Sequence, residues 1–342
     1  MKSSPAIALA LAAYASATPT YTSHKNAFNW PSTKQLIAFG DSYTFIQGTA
    51  GHPNYSFIGD ALNPAFTPAD LLVDRIVQNL TGTAEGGPNW VEFLTSCGVK
   101  PGLTSPRKCK KQLWDFAYAG ANTIEDASFT PLHHDHTLAL EKQVKQFVEY
   151  GDPALVSTHT VKKKSDVLVA FWIGINDIND LVKLRGRNAT FAPLYERVQS
   201  RQFDLVKQVY DLGYRHFLFV NLPPLDRGPS PSVNASMVAE FNTILKTHAD
   251  GFQKGQRDAT VLQFDVNTVL NGVLDAYRAY GFKNVTGFCA AYNQPDIVTD
   301  PGKYGCSPLD TYFWYNSGHL TSRTHEIFTG ELEKFLKGKS RG

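Results

Sequence analysis

Four short runs of apolar residues stand out along the chain: 35–40 (QLIAFG), 167–174 (VLVAFWIG), 217–222 (FLFVNL) and 260–266 (TVLQFDV). Runs of this length without strict alternation predict strands covered on both faces, as in a parallel sheet. Elsewhere apolar residues recur at helical spacing. Leu194, Val198, Leu205, Val209 and Leu212 form one stripe, and Gly213 is placed to end it. Met237, Phe241, Ile244, Leu245 and His248 form a second, and Ile327, Phe328, Leu332, Phe335 and Leu336 a third near the C-terminus. Strands alternating with helices predict an α/β fold, a three-layer α/β/α sandwich with a central parallel sheet. In such sheets ligands gather at the carboxyl ends of the strands, and that rule sorts the motifs.

No internal repeat, linker or appended module interrupts the pattern, so residues 18–342 are read as one domain. The start of the chain reads differently. Lys2 is followed by a short apolar stretch at 6–14 (AIALALAAY) and by Ala15-Ser16-Ala17. That is the layout of a secretory signal, predicted over 1–17 and cut before Thr18. The apolar stretch is too short to span a bilayer, and no later segment is long enough. Five Asn-x-Ser/Thr sequons, at Asn54, Asn79, Asn188, Asn234 and Asn284, fit a glycosylated, extracellular protein. Four cysteines fit the same compartment. Cys97 lies near Cys109 and Cys289 near Cys306, so two local disulfides are preferred over the other pairings and over zinc, for which no Cys-x-x-Cys spacing exists.

Composition narrows the function. Hydrophobic residues make up 42% and charged residues 19%, a globular balance. Lys plus Arg is 33 against 31 Asp plus Glu, a net charge of +2, which argues against nucleic acid as a partner. The charge run Lys162-Lys163-Lys164 reads as a solvated face, and His133-His134-Asp135-His136 as a solvated loop near the mouth of a site. No metal or cofactor is expected, and a monomer is the default.

Four segments carry candidate chemistry. Gly40-Asp41-Ser42-Tyr43 follows the first predicted strand, where the Ser42 hydroxyl would face the crevice and its N–H a developing oxyanion. Gly120 lies among small residues in 115–123 (DFAYAGANT), where a backbone N–H has room to approach a ligand. Asn176, in Trp172-Ile173-Gly174-Ile175-Asn176-Asp177, ends another strand with a side-chain amide able to hold an oxyanion. His319, in Asn316-Ser317-Gly318-His319, sits just before the last helix as a candidate general base to Ser42. Tyr43 and Trp172 adjoin these positions as wall or as core, whereas Phe28 and Trp30 read as packing.

Taken together the four blocks resemble those of the GDSL, or SGNH, hydrolase superfamily, in order and over nearly the whole mature chain. The segment Asn221-Leu222-Pro223-Pro224-Leu225 is also similar to one found in larger members. The resemblance implies a flavodoxin-like three-layer fold, no metal, and ester hydrolysis by Ser42 and His319 with an oxyanion hole from Ser42, Gly120 and Asn176. Within the superfamily the phrases Phe39–Tyr43 and 171–178 (FWIGINDI) and the late cysteine pair look like fungal secreted acetyl esterases of carbohydrate esterase family 16. This implies acetyl removal from hemicellulose-derived oligosaccharides. A lipase or phospholipase of the same fold and a non-catalytic sugar-binding protein are the alternatives. One position departs from the family pattern. Many members carry Asp three residues before the histidine, where this chain has Asn316. Three arrangements follow: Asn316 orients His319, another acid such as Asp310 does, or Ser42 and His319 work as a dyad beside a backbone carbonyl.

Overall fold

The central sheet has five parallel strands: β1 (Gln35–Gly40), β2 (Gln112–Asp115), β3 (Val167–Trp172), β4 (His216–Val220) and β5 (Thr260–Phe264). They lie in the order β2-β1-β3-β4-β5, every pair parallel. The computed structural model describes residues 27–341, so the expected signal at 1–17 lies outside the described residues.

The predicted strands are there, some of them shorter than predicted: β3 stops at Trp172 and β4 at Val220. All residues of β1, β3 and β4 are buried, which is why those segments lack polar alternation. Strand β2 is the one that apolar runs do not announce. Only Leu113 and Trp114 are apolar in it, between Gln112 and Asp115. Its register, Ala38 opposite Asp115, places it beside β1 at the sheet edge.

Helices cover both faces. On one side lie α2 (Leu140–Gln146), α3 (Ile175–Arg185), α4 (Ala192–Asp211) and α5 (Ala235–Gly255); on the other lie α1 (Trp90–Thr95), α6 (Val266–Asp275) and α7 (Ser322–Lys339). The two faces show in adjacent residues of β3. Phe171 stacks on Phe219, which meets Phe203 of α4, while Trp172 meets Trp90 of α1 and Phe328 of α7. The three predicted helical stripes fall on α4, α5 and α7. Phe28 and Trp30 pack in the core.

Two disulfides are present, Cys97–Cys109 and Cys289–Cys306, the local pairing. Lys162 and Lys163 are exposed, but Lys164 corrects the reading of a solvated run. Its ammonium is half-buried, 2.7 Å from Asp152 and from the Leu212 carbonyl. No helix among the described residues is long and apolar enough to cross a membrane.

The strand order sets the site. After β1 the chain adds β2 on one side, then β3 on the other, which opens a crevice at the carboxyl ends of β1 and β3.

Candidate active site

Ser42 follows β1 directly. The turn is tight because β1 and β3 run close together: a Cβ at Gly40 would stand 2.3 Å from the Trp172 carbonyl oxygen. Gln143 of α2 clamps the strand end, accepting the Gly40 N–H at 3.1 Å and donating to the Gly40 carbonyl at 2.8 Å. Asp41 points inward and accepts the Tyr43 N–H at 3.0 Å, while its carbonyl accepts from Thr44 and Phe45. Burial pushes the Asp41 carboxyl up to about 7. Asn89, the N-cap of α1, donates to the carbonyls of Thr44 and Phe45 and holds the far side of the turn.

His319 reaches Ser42 from the loop before α7. Its Nε2 lies 2.8 Å from Ser42 Oγ, and its Nδ1 lies 2.9 Å from Asn316 Oδ1. The same Oδ1 accepts the backbone N–H groups of Gly318 and His319, each at 2.9 Å. An oxygen accepting two N–H groups requires the proton on Nδ1, so Nε2 is the free base facing the serine hydroxyl. Tyr43 joins the loops, its hydroxyl donating to the Gly318 carbonyl at 2.7 Å. Burial lowers the His319 imidazole to about 4. Of the three expected arrangements, the geometry is the one in which Asn316 faces Nδ1. Asp310 is exposed in another groove, beside Arg323 and Glu326.

Gly120 and Asn176 border the same crevice. Gly120 has φ +80°, in the left-handed region that favours glycine. Its neighbours' N–H groups are engaged, Ala119 with Tyr55 and Ala121 with Tyr118. The N–H groups of Gly120 and Ser42 make no hydrogen bond to any described residue. Asn176, in the first turn of α3, donates one amide hydrogen to the Ala121 carbonyl at 2.9 Å. That leaves its second hydrogen for a ligand. Asp177 beside it accepts the Thr123 N–H at 2.9 Å and the Thr123 hydroxyl at 3.2 Å, fastening the Gly120 loop to α3. Burial raises Asp177 to about 7 as well.

Ser42, Gly120, Asn176, Asn316 and His319 line an open cleft of about 770 Å³. Tyr55, Tyr292, Tyr315 and the amides of Asn54, Asn179 and Asn293 complete much of its wall with Tyr43 buried behind it, and among the described residues no Asp, Glu, Lys or Arg lines it. Trp172 is core: it is buried and donates to the Asn221 carbonyl. Residues 133–136 lie, as read, on a solvated loop at the mouth of the site, where His133 lines the cleft with Nε2 2.8 Å from Asp180 Oδ2. His134 and His136 stack instead along His52 beside Tyr55. Gln143 and the Thr123–Asp177 contact escaped the sequence reading. Their partners are backbone groups 103 and 54 residues away, and no local pattern marks such contacts.

Sheet order and crevice define a three-layer α/β protein with its site at the switch point of the sheet, and the comparisons with known proteins specify the family. The family model of GDSL-like lipases and acylhydrolases matches residues 36–331, and the chain belongs to that family. An acetylesterase of Thermothelomyces thermophilus is 28% identical over 267 residues, covering 75% of this chain and 78% of the relative. The GDSL esterase/lipase APG of Arabidopsis thaliana is 23% identical over 267 residues, covering 70% and 74%. Among solved structures, a lipase/acylhydrolase from Enterococcus faecalis aligns over 90% of this chain and 97% of its own at 13% identity, with a TM-score of 0.37. The chain is a carboxylic ester hydrolase.

Proposed function

We propose that this esterase is secreted and removes acetyl groups from carbohydrate through an acyl-serine intermediate. One observation carries the reading. The Ser42–His319–Asn316 array opens into a cleft walled by tyrosines and asparagine amides and, among the described residues, by no carboxylate, ammonium or guanidinium side chain. Aromatic faces and amides suit the apolar and hydroxyl surfaces of a neutral sugar. The acetylesterase relative supports the acyl group. Five sequons and two disulfides support the compartment.

Ser42 Oγ attacks the ester carbonyl carbon while its proton passes to His319 Nε2. The carbonyl π electrons move to oxygen, and the N–H groups of Ser42 and Gly120 and the Asn176 amide stabilise that oxyanion. Asn316 Oδ1 holds Nδ1–H throughout. The intermediate collapses, the C–O bond to the alcohol breaks, and the leaving oxygen takes the proton from Nε2. Water then gives its proton to Nε2, attacks the acyl-serine, and releases acetate with the serine restored.

The test is hydrolysis of p-nitrophenyl esters from acetate to octanoate by wild type and Ser42→Ala, followed by acetylated xylo-oligosaccharides. Activity concentrated on acetate and on the acetylated sugars, and lost in the variant, is the expected result. A preference for octanoate transfers the chain to lipase chemistry. No Ser42-dependent turnover on any ester overturns the mechanism.

A further inference from the structure

Two grooves meet at His133. One is the catalytic cleft. The other, of about 480 Å³, runs between residues 131–134 and the outer side of α3, past Leu132, His134, Lys183 and Leu184. His133 lines both.

The ring is held from one edge only. Asp180 Oδ2 takes His133 Nε2 at 2.8 Å and also the Asn122 side-chain amide at 2.9 Å, and that amide donates to the Pro131 carbonyl as well. One carboxylate oxygen therefore ties together α3, the His133 segment and the loop that carries Gly120. The other edge is free. A Cβ at Gly120 would stand 3.4 Å from His133 Nδ1, and Nδ1 makes no hydrogen bond to any described residue. The cleft thus has two histidines in opposite settings. His319 faces an amide, and His133 faces a carboxylate.

We propose that His133 is a specificity residue for the alcohol part of the ester, and that the groove beyond it is a subsite for a further polyhydroxylated unit of that alcohol. This rests on the carbohydrate reading above. With Nε2–H committed to Asp180, neutral His133 offers Nδ1 as an acceptor and protonated His133 offers it as a donor. A hydroxyl serves either state, because it both donates and accepts. A carboxylate is served by the protonated state alone, and the adjoining Asp180 and Asp177 oppose it. The Asp180 hydrogen bond raises the imidazole above its ordinary value, against burial and nearby Lys183, which lower it. The free edge lies beside Gly120, so an alcohol that extends out of the cleft on this side passes His133 into the second groove.

The measurement is kcat and KM of wild type, His133→Gln and His133→Asn on acetylated xylo-oligosaccharides, from mono- to tetrasaccharide, and on p-nitrophenyl acetate. Gln places its amide near Nε2 and keeps the Asp180 contact without the Nδ1 edge. Asn places its amide near Nδ1. The expected wild-type result is a gain in kcat/KM with sugar length. His133→Gln then lowers the ratio of tetrasaccharide to p-nitrophenyl acetate kcat/KM about tenfold, mostly through KM, the size of one good hydrogen bond. His133→Asn is expected to keep more of the ratio than His133→Gln. If wild type shows the length gain and His133→Gln loses activity equally on all substrates, the proposal is overturned while the carbohydrate reading stands. If wild type shows no activity on any acetylated sugar, both fall. If it hydrolyses them without a length gain, the subsite alone falls.

Discussion

Asn316 Oδ1 lies 2.9 Å from His319 Nδ1 and at the same distance from two backbone N–H groups of its own loop. The amide is thereby locked with its oxygen toward the imidazole. In serine proteases, exchange of the triad Asp for Asn costs about 10⁴ in turnover, because the wrong tautomer of the histidine is held. Here the backbone fixes the amide the other way round, and the productive tautomer is kept. What the amide lacks is charge.

That lack gives the first prediction. No carboxylate partners His319, so burial acts unopposed and the imidazole is lowered to about 4. A general base works only while neutral, so the acid limb of kcat/KM is expected near pH 4, well below that of an ordinary histidine. Asn316→Asp places a negative charge against Nδ1, favours the imidazolium, and raises the histidine's pKa. The variant is expected to stay active with its acid limb displaced upward by about one to three pH units. An unmoved limb, or complete inactivity with intact folding, refutes this account of the pair.

The second prediction concerns the oxyanion side. Asn176→Ala removes one donor and leaves Ser42 and Gly120. Loss of one such donor lowers kcat by about 10²–10³. KM is expected to change little, because the charge on oxygen develops only in the transition state. The Ala121 carbonyl also loses its partner, at a stability cost of about 1 kcal/mol. A loss of kcat/KM that comes only from a raised KM, with kcat unchanged, would mean that Asn176 binds substrate and not the oxyanion.

How much of this was legible in the sequence depends on distance along the chain. The strands buried on both faces announced themselves, because β1, β3 and β4 are buried throughout and, after Gln35 and His216 at the starts of β1 and β4, carry only apolar residues and glycine. Ser42, Gly120, Asn176 and His319 could be singled out because their four short phrases, each weak alone, together resemble one family's blocks, and the structure brings the four residues to one cleft. Edge strand β2 was missed because only two of its residues are apolar. The solvated loop at 133–136 was legible, but the Asp180 contact of His133 was not, because Asp180 is 47 residues away on another element. The partner of His319 stayed open because Asn316 and Asp310 both precede it nearby in the chain, and only the loop's shape brings Asn316 to Nδ1.

The third prediction is a pH dependence of stability. Burial raises Asp41 and Asp177 to about 7 and Glu92 to about 8, and raises Glu85 and Asp115 in the same direction. A carboxyl with a folded pKa above its unfolded value is protonated more in the folded state. Folding then takes up protons, and stability increases as pH falls through the folded values. Below about 6.5 the lowered histidines His136, His216, His319 and His325 act in the opposite sense, because the unfolded chain protonates them first. The Tm is therefore expected to rise from pH 8 to about 6.5 and then to flatten toward 4.5. Asp177→Asn is expected to shallow the rise. A Tm that falls on acidification from pH 8 to 6.5 contradicts the assignment.

The fourth prediction separates the two disulfides. Each closes a short loop, and the chain-entropy model gives about 3 kcal/mol for such a loop. Their positions differ. No cleft-lining residue falls within 97–109, whereas Tyr292 and Asn293 lie inside the 289–306 loop and line the cleft. Tyr315, next to Asn316, donates its hydroxyl to the Tyr292 carbonyl at 3.0 Å and packs on the Tyr292 ring. The second disulfide thus braces the wall that adjoins the histidine loop. Replacing both Cys97 and Cys109 by Ser is expected to lower Tm with little change in KM. Replacing both Cys289 and Cys306 is expected to lower Tm by a comparable amount and also raise KM several-fold, because an unbraced wall must be ordered when substrate binds. Thermal melts and steady-state kinetics on the two double variants settle the point. Equal KM values would place the function of the second disulfide in stability alone.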